Sequence, residues 1–273
     1  MIVFYCQQVG LQPTLIGRQG SIAYDFKVYD GKQGTHRIVG GPASLDEFDF
    51  CFIAVKSYQV KAALESHQFV RSTPCRIICN GLLDPKLNPY PEFREGLWQL
   101  GTTNIGVKGS QRGSWVIQNQ GGLLAWGGAE ARDIDRLMAA RLAPFGFQCR
   151  TDCDRLRREK WLFNTVMNSL CGKYRLSSNG ELKNISTEVD LVYEEAFRLG
   201  QDLFGPWDRP RLDLRQDLFE LIDSTSENEN SMARDIRLGR KTETSDLAGL
   251  VDGQNPSDFP KLFELHEHLN NSC

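Results

Sequence analysis

Apolar positions follow two different rhythms along this chain. Up to about residue 150 they come in short runs separated by turn residues; beyond it they recur every three to four positions. In the first part, Pro13–Gly17 reads as a strand ending at Arg18, Phe48–Val55 as a strand ending at Lys56, and Cys75–Cys79 as a strand ending at Asn80-Gly81, with a helix over Tyr58–His67. Leu97–Val107 reads as a further strand. Gly113–Gln118 and Leu123–Gly127, around Gly121-Gly122, read as a hairpin that closes the sheet; a helix over Glu130–Leu142 and a last strand over Gly146–Arg150 follow. Strands alternating with helices predict parallel βαβ units, in which ligands bind off the carboxyl ends of the strands, where Arg18, Lys56 and Asn80 stand. From Asp154 onward the pattern is helical: one long helix, then Ser186–Phe204, Leu212–Ile222, Ser231–Arg240 and a short helix over Leu262–Leu269. The fold class expected is an α/β, Rossmann-like domain over 1–151, followed by an all-α domain over 152–273.

The long helix carries an unusual stripe. Every fourth residue is polar, giving Lys160, Asn164 and Asn168 on one face. Around them stand Trp161, Leu162, Phe163, Val166, Met167 and Leu170, so the helix is apolar over most of its circumference and is expected to be buried. An unpaired buried amide costs ~2–7 kcal/mol and an unpaired charge more. The protein or a ligand must therefore supply partners. A lone residue of this kind usually finds them within the protein; three in register favour a ligand.

Composition narrows the function classes. The 273 residues carry 40% hydrophobic and 25% charged side chains and a net charge of −3, with no Lys/Arg-rich block, which argues against a nucleic-acid partner. No apolar run approaches the ~18 residues of a spanning helix, and the opening residues lack the pattern of a signal peptide. The eight cysteines read as reduced, in a cytoplasmic protein. Four residues along a strand is about 13 Å, too far for Cys75 and Cys79 to share a metal, and no His lies near Cys149 or Cys153. No metal is expected.

Taken in order, Ala54-Val55-Lys56 with Gln59-Val60, Asn80-Gly81, Gly101-Thr102-Thr103, Lys160-x3-Asn164-x3-Asn168, Asn179-Gly180-Glu181-Leu182, Ser226-Glu227-Asn228-x2-Ser231-Met232, Asp235-Ile236-Arg237 and Thr242-Glu243 resemble the ketopantoate reductase family over nearly the whole chain. The resemblance implies reduction of 2-dehydropantoate to pantoate with NADPH, on the route to pantothenate and coenzyme A. It implies Lys160 as general acid, with Glu243 as its acidic partner or a cofactor-side residue. Asn164, Asn168 and Ser231 would form the substrate's hydrogen-bonding ring, with Asn179 a further contact and Asn80 meeting both substrate and cofactor. Lys56 would lie near the nicotinamide, and Val107 would offer a backbone contact. Arg18 would pair with the adenosine 2′-phosphate, favouring NADP over NAD. The partner expected is a small 2-keto acid, with no nucleic acid and no membrane, in a monomer or homodimer. On one helix Ser231 and Glu243 would stand about 18 Å apart, so a shared ligand requires a break between them, which Gly239 permits.

The sequence also departs from the family. The family opens with a strand and a G-x-G-x-x-G turn; this chain opens Met1-Ile2-Val3-Phe4-Tyr5-Cys6, which reads as the later part of the helix that follows such a turn. The resemblance thus implies a Rossmann-like domain incomplete at its N-terminus, and without that turn weak binding of NADPH is expected. After Asn168 the family continues with Pro, Leu, Thr and a small residue, where this chain has Ser169-Leu170-Cys171-Gly172, and the stretch after Leu250 is shorter. Two alternatives stand beside the leading reading: a reductase of another small 2-keto acid, and a cofactor-deficient, non-catalytic relative.

Overall fold

The protein was analysed as a computed structural model that describes residues 1–17, 20–21, 24–29, 35–40, 48–81, 84–105, 107–109, 114–117, 122–128 and 131–271. The chain packs as two units. The first comprises Met1–Cys79 and Pro85–Asp154; the second comprises Asn80–Asp84 and Arg155–Cys273.

The first unit is built on a five-stranded sheet in the order Phe147–Cys149, Leu124–Trp126, Trp98–Thr103, Cys75–Ile78, Cys51–Ile53. The last three are mutually parallel, and Leu124–Trp126 runs antiparallel to Trp98–Thr103. Cys75–Ile78 is buried at every position, as expected of a strand covered on both faces. Its one charge, Arg76, is fully buried and donates to both carboxylate oxygens of Asp135, at 2.5 and 2.6 Å. The Trp126 indole N–H also donates to Asp135, at 2.8 Å. A buried guanidinium is tolerable only when paired in this way. The pair ties the helix Asp133–Leu142 to the sheet. The helix Ile2–Gln8 buries Phe4, Tyr5 and Cys6, with the Tyr5 ring stacked on Phe145 at 4.5 Å.

Of the strand read over Pro13–Gly17, only Ile16–Gly17 is extended in a ladder, and it pairs antiparallel with Gly20–Ser21 outside the five-stranded sheet. Pro13 has no N–H to give to a ladder, which limits a strand there. The hairpin read over Gly113–Gln118 and Leu123–Gly127 is split. Ser114–Ile117 pairs with Val107–Gly109, its neighbour across a short connection, and with Tyr24–Tyr29, in a four-stranded sheet completed by Thr35–Gly40. Leu124–Trp126 is buried at all three positions and takes a place inside the five-stranded sheet instead. The sequence reading passed over Tyr24–Tyr29. Its alternation Tyr-Asp-Phe-Lys-Val-Tyr is the period-two signal that would have found it.

The second unit is helical, with Cys153–Tyr174 as the long helix from which it continues, then Ser186–Phe204, Arg211–Ser224, Ser231–Arg237 and Pro260–Asn270. Leu162, Val166 and Leu170 of the long helix are fully buried among Val192, Leu218 and Leu265. The helix closes with Leu176 N–H reaching back to Cys171 O while Arg175 takes a left-handed conformation (φ 51°), which turns the chain toward a 3-10 segment, Asn179–Ile185. The helix expected over Ser231–Arg240 stops at Arg237, and Gly239 is left-handed (φ 61°) just beyond it. Glu243 therefore does not share a helix with Ser231; it precedes a separate turn, Thr244–Asp246. Among the described residues no helix is long and apolar enough to cross a membrane.

Candidate functional site

The second unit gathers most of the polar residues singled out from the sequence. Lys160 and Asn164 are half-buried on the long helix, and Asn168, one turn on, is 6% exposed. Asn164 donates its side-chain N–H to Asn80 Oδ1 at 3.3 Å, and Asn80 in turn donates to Glu243 Oε2 at 3.1 Å. A buried carboxylate, two carboxamides and, a turn before Asn164, an ammonium thus follow one another. Neighbours four apart on a helix have Cβ atoms about 5–6 Å apart, which places Lys160 beside Asn164.

Local chemistry explains how Asn80 arrives there. It leaves the strand Cys75–Ile78 and is followed by Gly81 in the left-handed region (φ 83°). A β-carbon at Gly81 would stand 2.6 Å from Asp246 Cβ, so only glycine lets this backbone lie against the Thr244–Asp246 turn that Glu243 precedes. Beside Glu243 the Thr242 and Thr244 hydroxyls bond each other at 2.7 Å, holding the backbone on either side of it.

The remaining amides have a partner that the sequence reading missed. Asn230 caps the helix Ser231–Arg237 by accepting Met232 N–H on Oδ1 at 2.9 Å, and it donates its amide to Asn168 Oδ1 at 2.9 Å and to Asn179 Oδ1 at 3.2 Å. Asn179 donates to the Thr225 hydroxyl at 3.0 Å, which donates onward to Leu221 O at 2.6 Å. The Cys171 thiol, pushed up to about 12 by burial, stays protonated and points at Asn179 Oδ1. Two backbone bonds, from Asn179 to Asn228 O and from Gly180 to Ser226 O, join this segment to the loop before the Asn230 cap. Within the stripe, the two Asn do not wait for a ligand: the protein supplies one partner to each. An Asn immediately before a helix start is a strong N-cap signal, and it was available in the sequence. Ser231, the first helical residue, is exposed.

Three candidates are not among the residues that these hydrogen bonds join. Lys56 belongs to the first unit, half-buried, with its backbone N–H donated to Gln59 Oε1 at 3.2 Å. Val107 is paired with Ile117 in the four-stranded sheet, not at the end of the Trp98–Thr103 strand as the reading of Leu97–Val107 expected. Arg18 lies outside the described residues. No group of His, Cys, Asp and Glu among the described residues could hold a metal ion.

An ammonium with an amide donor, Asn168, two turns along the same helix face suits an anion whose oxygen gains charge during reaction. Residues 152–251 match the family described as Ketopantoate reductase PanE/ApbA C terminal, a span that includes Lys160, Asn164, Asn168, Asn179, Asn230 and Glu243. A 2-dehydropantoate 2-reductase of Shigella flexneri is 26% identical over 219 residues, covering 77% of this chain and 68% of that protein. In fold, the chain is similar to the 2-dehydropantoate 2-reductase of Geobacter metallireducens GS-15, with a TM-score of 0.79 at 17% identity over 99% of this chain and 95% of the other. It is similar too to a D-mandelate dehydrogenase solved with NADH and anilino(oxo)acetate, with a TM-score of 0.79 at 15% identity over 99% and 93%.

Proposed function

We propose, from the family match over residues 152–251 and a relative 26% identical, that the chain is a member of the ketopantoate reductase family and reduces 2-dehydropantoate to pantoate with NADPH. The observation that supports this reading best is the sequence of groups Lys160, Asn164, Asn80 and Glu243, in which the helix bearing the amine is joined by hydrogen bonds to a buried carboxylate.

Reduction of a 2-keto acid leaves negative charge on the former ketone oxygen. The Lys160 ammonium offsets that charge as it develops and then gives the oxygen a proton. Asn164, Asn168 and Ser231 orient the keto acid against Lys160. Asn179 acts from behind Asn168, through Asn230. Glu243 holds Asn80 in place by accepting its amide N–H. When bound, a reduced nicotinamide supplies the hydride. The Asn80 amide and Glu243 carboxylate form a donor and acceptor set that fits the carboxamide and ribose hydroxyls of such a group. The sequence contains no G-x-G-x-x-G for a pyrophosphate. Lys56, Val107 and Arg18 are assigned to the cofactor by resemblance alone.

The test is NADPH oxidation in the presence of 2-dehydropantoate by the intact chain and by Lys160→Ala. Loss of a general acid should cut turnover about 10²–10⁴-fold while leaving the melting temperature near that of the parent. Equal turnover by the variant would remove Lys160 from the mechanism. Turnover of a different 2-keto acid in place of 2-dehydropantoate would move the substrate and keep the reaction.

A further inference from the structure

Resting on the reductase reading, we infer that Asn230 is a positioning residue: it fixes the direction of the Asn168 carboxamide so that Asn168 offers N–H donors, and no acceptor, to the substrate.

One backbone group determines the whole arrangement. The Met232 N–H can only donate, so the Asn230 atom facing it at 2.9 Å is the oxygen. The other end of the same planar group is then NH2, which can only donate. The atoms that face it, 2.9 Å away on Asn168 and 3.2 Å away on Asn179, must therefore both be oxygens. The assignment is consistent at its far end. With its oxygen toward Asn230, Asn179 turns its NH2 to the Thr225 hydroxyl, which is free to accept because its own proton goes to Leu221 O. The Cys171 thiol also donates to Asn179 Oδ1, as that orientation requires.

For Asn168 the consequence is directional. Its oxygen is taken, so its NH2 points away from Asn230 and has no partner among the described residues. The substrate atom that meets it is an oxygen with lone pairs to give, a carboxylate or ketone oxygen; a hydroxyl there can act only as acceptor. Asn164 is set the opposite way. Its NH2 is given to Asn80, leaving its oxygen as the free end. Two chemically identical side chains one helical turn apart thus present opposite polarity, and a keto acid with an alcohol group can use both.

Two variants test the assignment. Asn230→Asp keeps an oxygen for Met232 N–H but replaces the donor with an acceptor, so Asn168 must reverse. Asn230→Ser keeps a good helix cap and removes the donor without imposing a direction. The KM for the keto acid is expected to rise about tenfold to a hundredfold in Asn230→Asp, the loss of one hydrogen bond to a charged group. It should rise less in Asn230→Ser, with the KM for NADPH unchanged in both. A purely structural role would lower the melting temperature without this order in KM. If Asn230→Asp does not fold, Asn230→Ser carries the kinetic comparison. Independently of turnover, hydrogen exchange of side-chain amides in the parent should show slow Asn230 protons and fast Asn168 protons. Slow Asn168 protons, or an unchanged keto-acid KM in a folded, active variant, would overturn the assignment. A parent inactive on every keto acid but showing the expected exchange pattern would defeat the reductase reading and uphold the amide directions.

Discussion

Gly81 lies against Asp246 so closely that any β-carbon on it would stand 2.6 Å from Asp246 Cβ and 2.8 Å from Asp246 O. The preceding residue is the amide that joins Asn164 to Glu243, so the contact sets where that amide sits. Gly81→Ala adds both the clash and a strained left-handed alanine, a cost of about 1–3 kcal/mol. Lower turnover together with a lower melting temperature is expected. Unchanged turnover would show that the backbone shifts without moving Asn80.

The Asn80–Glu243 hydrogen bond should be measurable as a coupling. Asn80→Ala takes one donor from the buried Glu243 carboxylate and Glu243→Ala takes the acceptor from the half-buried Asn80 amide, so the double variant should be more stable than the sum of the single losses predicts, by about 0.5–1.5 kcal/mol. Urea unfolding of the four proteins gives the number. Strictly additive losses would mean that the bond contributes nothing to stability.

In the first unit, Arg76 and Asp135 are both fully buried and depend on each other. Asp135→Leu strands the guanidinium and frees the Trp126 indole N–H, and should cost about 3–5 kcal/mol. Adding Arg76→Leu should restore a large part of that loss, because the uncompensated charge is then gone. Equilibrium denaturation decides. A double variant no more stable than the single would show that packing, rather than charge, sets the cost.

Acid stability has a local source in the second unit. Burial alone would raise the Glu188 carboxyl, but hydrogen bonds from Tyr174 and Lys173 outweigh it and hold it below the ordinary carboxylate value. A folded value below the unfolded one stabilises the native state fully above the unfolded value, about 4.3, and that stability is lost as pH falls through the folded value. The stability gap between the parent and Glu188→Gln should therefore be widest near neutrality and shrink below about pH 4. A gap independent of pH would assign the effect of the substitution to packing.

What could be read in advance was whatever the chain encodes locally. The helix Ser186–Phe204 and the stripe of Lys160, Asn164 and Asn168 follow from periodicity alone, because a helix repeats within the reach of its own sequence. The break between Ser231 and Glu243 was foreshadowed by Gly239. The partners of the stripe were not legible. Asn168 meets Asn230 across 62 positions and Asn164 meets Asn80 across 84, and no local pattern says which of many carboxamides will meet. The split of the expected hairpin has the same cause: Leu124–Trp126 is placed by burial inside a sheet, a property of the assembled core and not of the turn beside it.

The five residues Asn80–Asp84 make the helical unit discontinuous along the polypeptide. A fragment beginning at Arg155 would contain the amine and the buried carboxylate yet lack the carboxamide that bridges Asn164 to Glu243. Anyone exchanging C-terminal halves between two relatives would have to transplant this pentapeptide from the other half as well. Modularity in space and modularity in the reading frame do not coincide here, and recombination that respects only the latter parts Asn164 and Glu243 from the carboxamide that joins them in this chain.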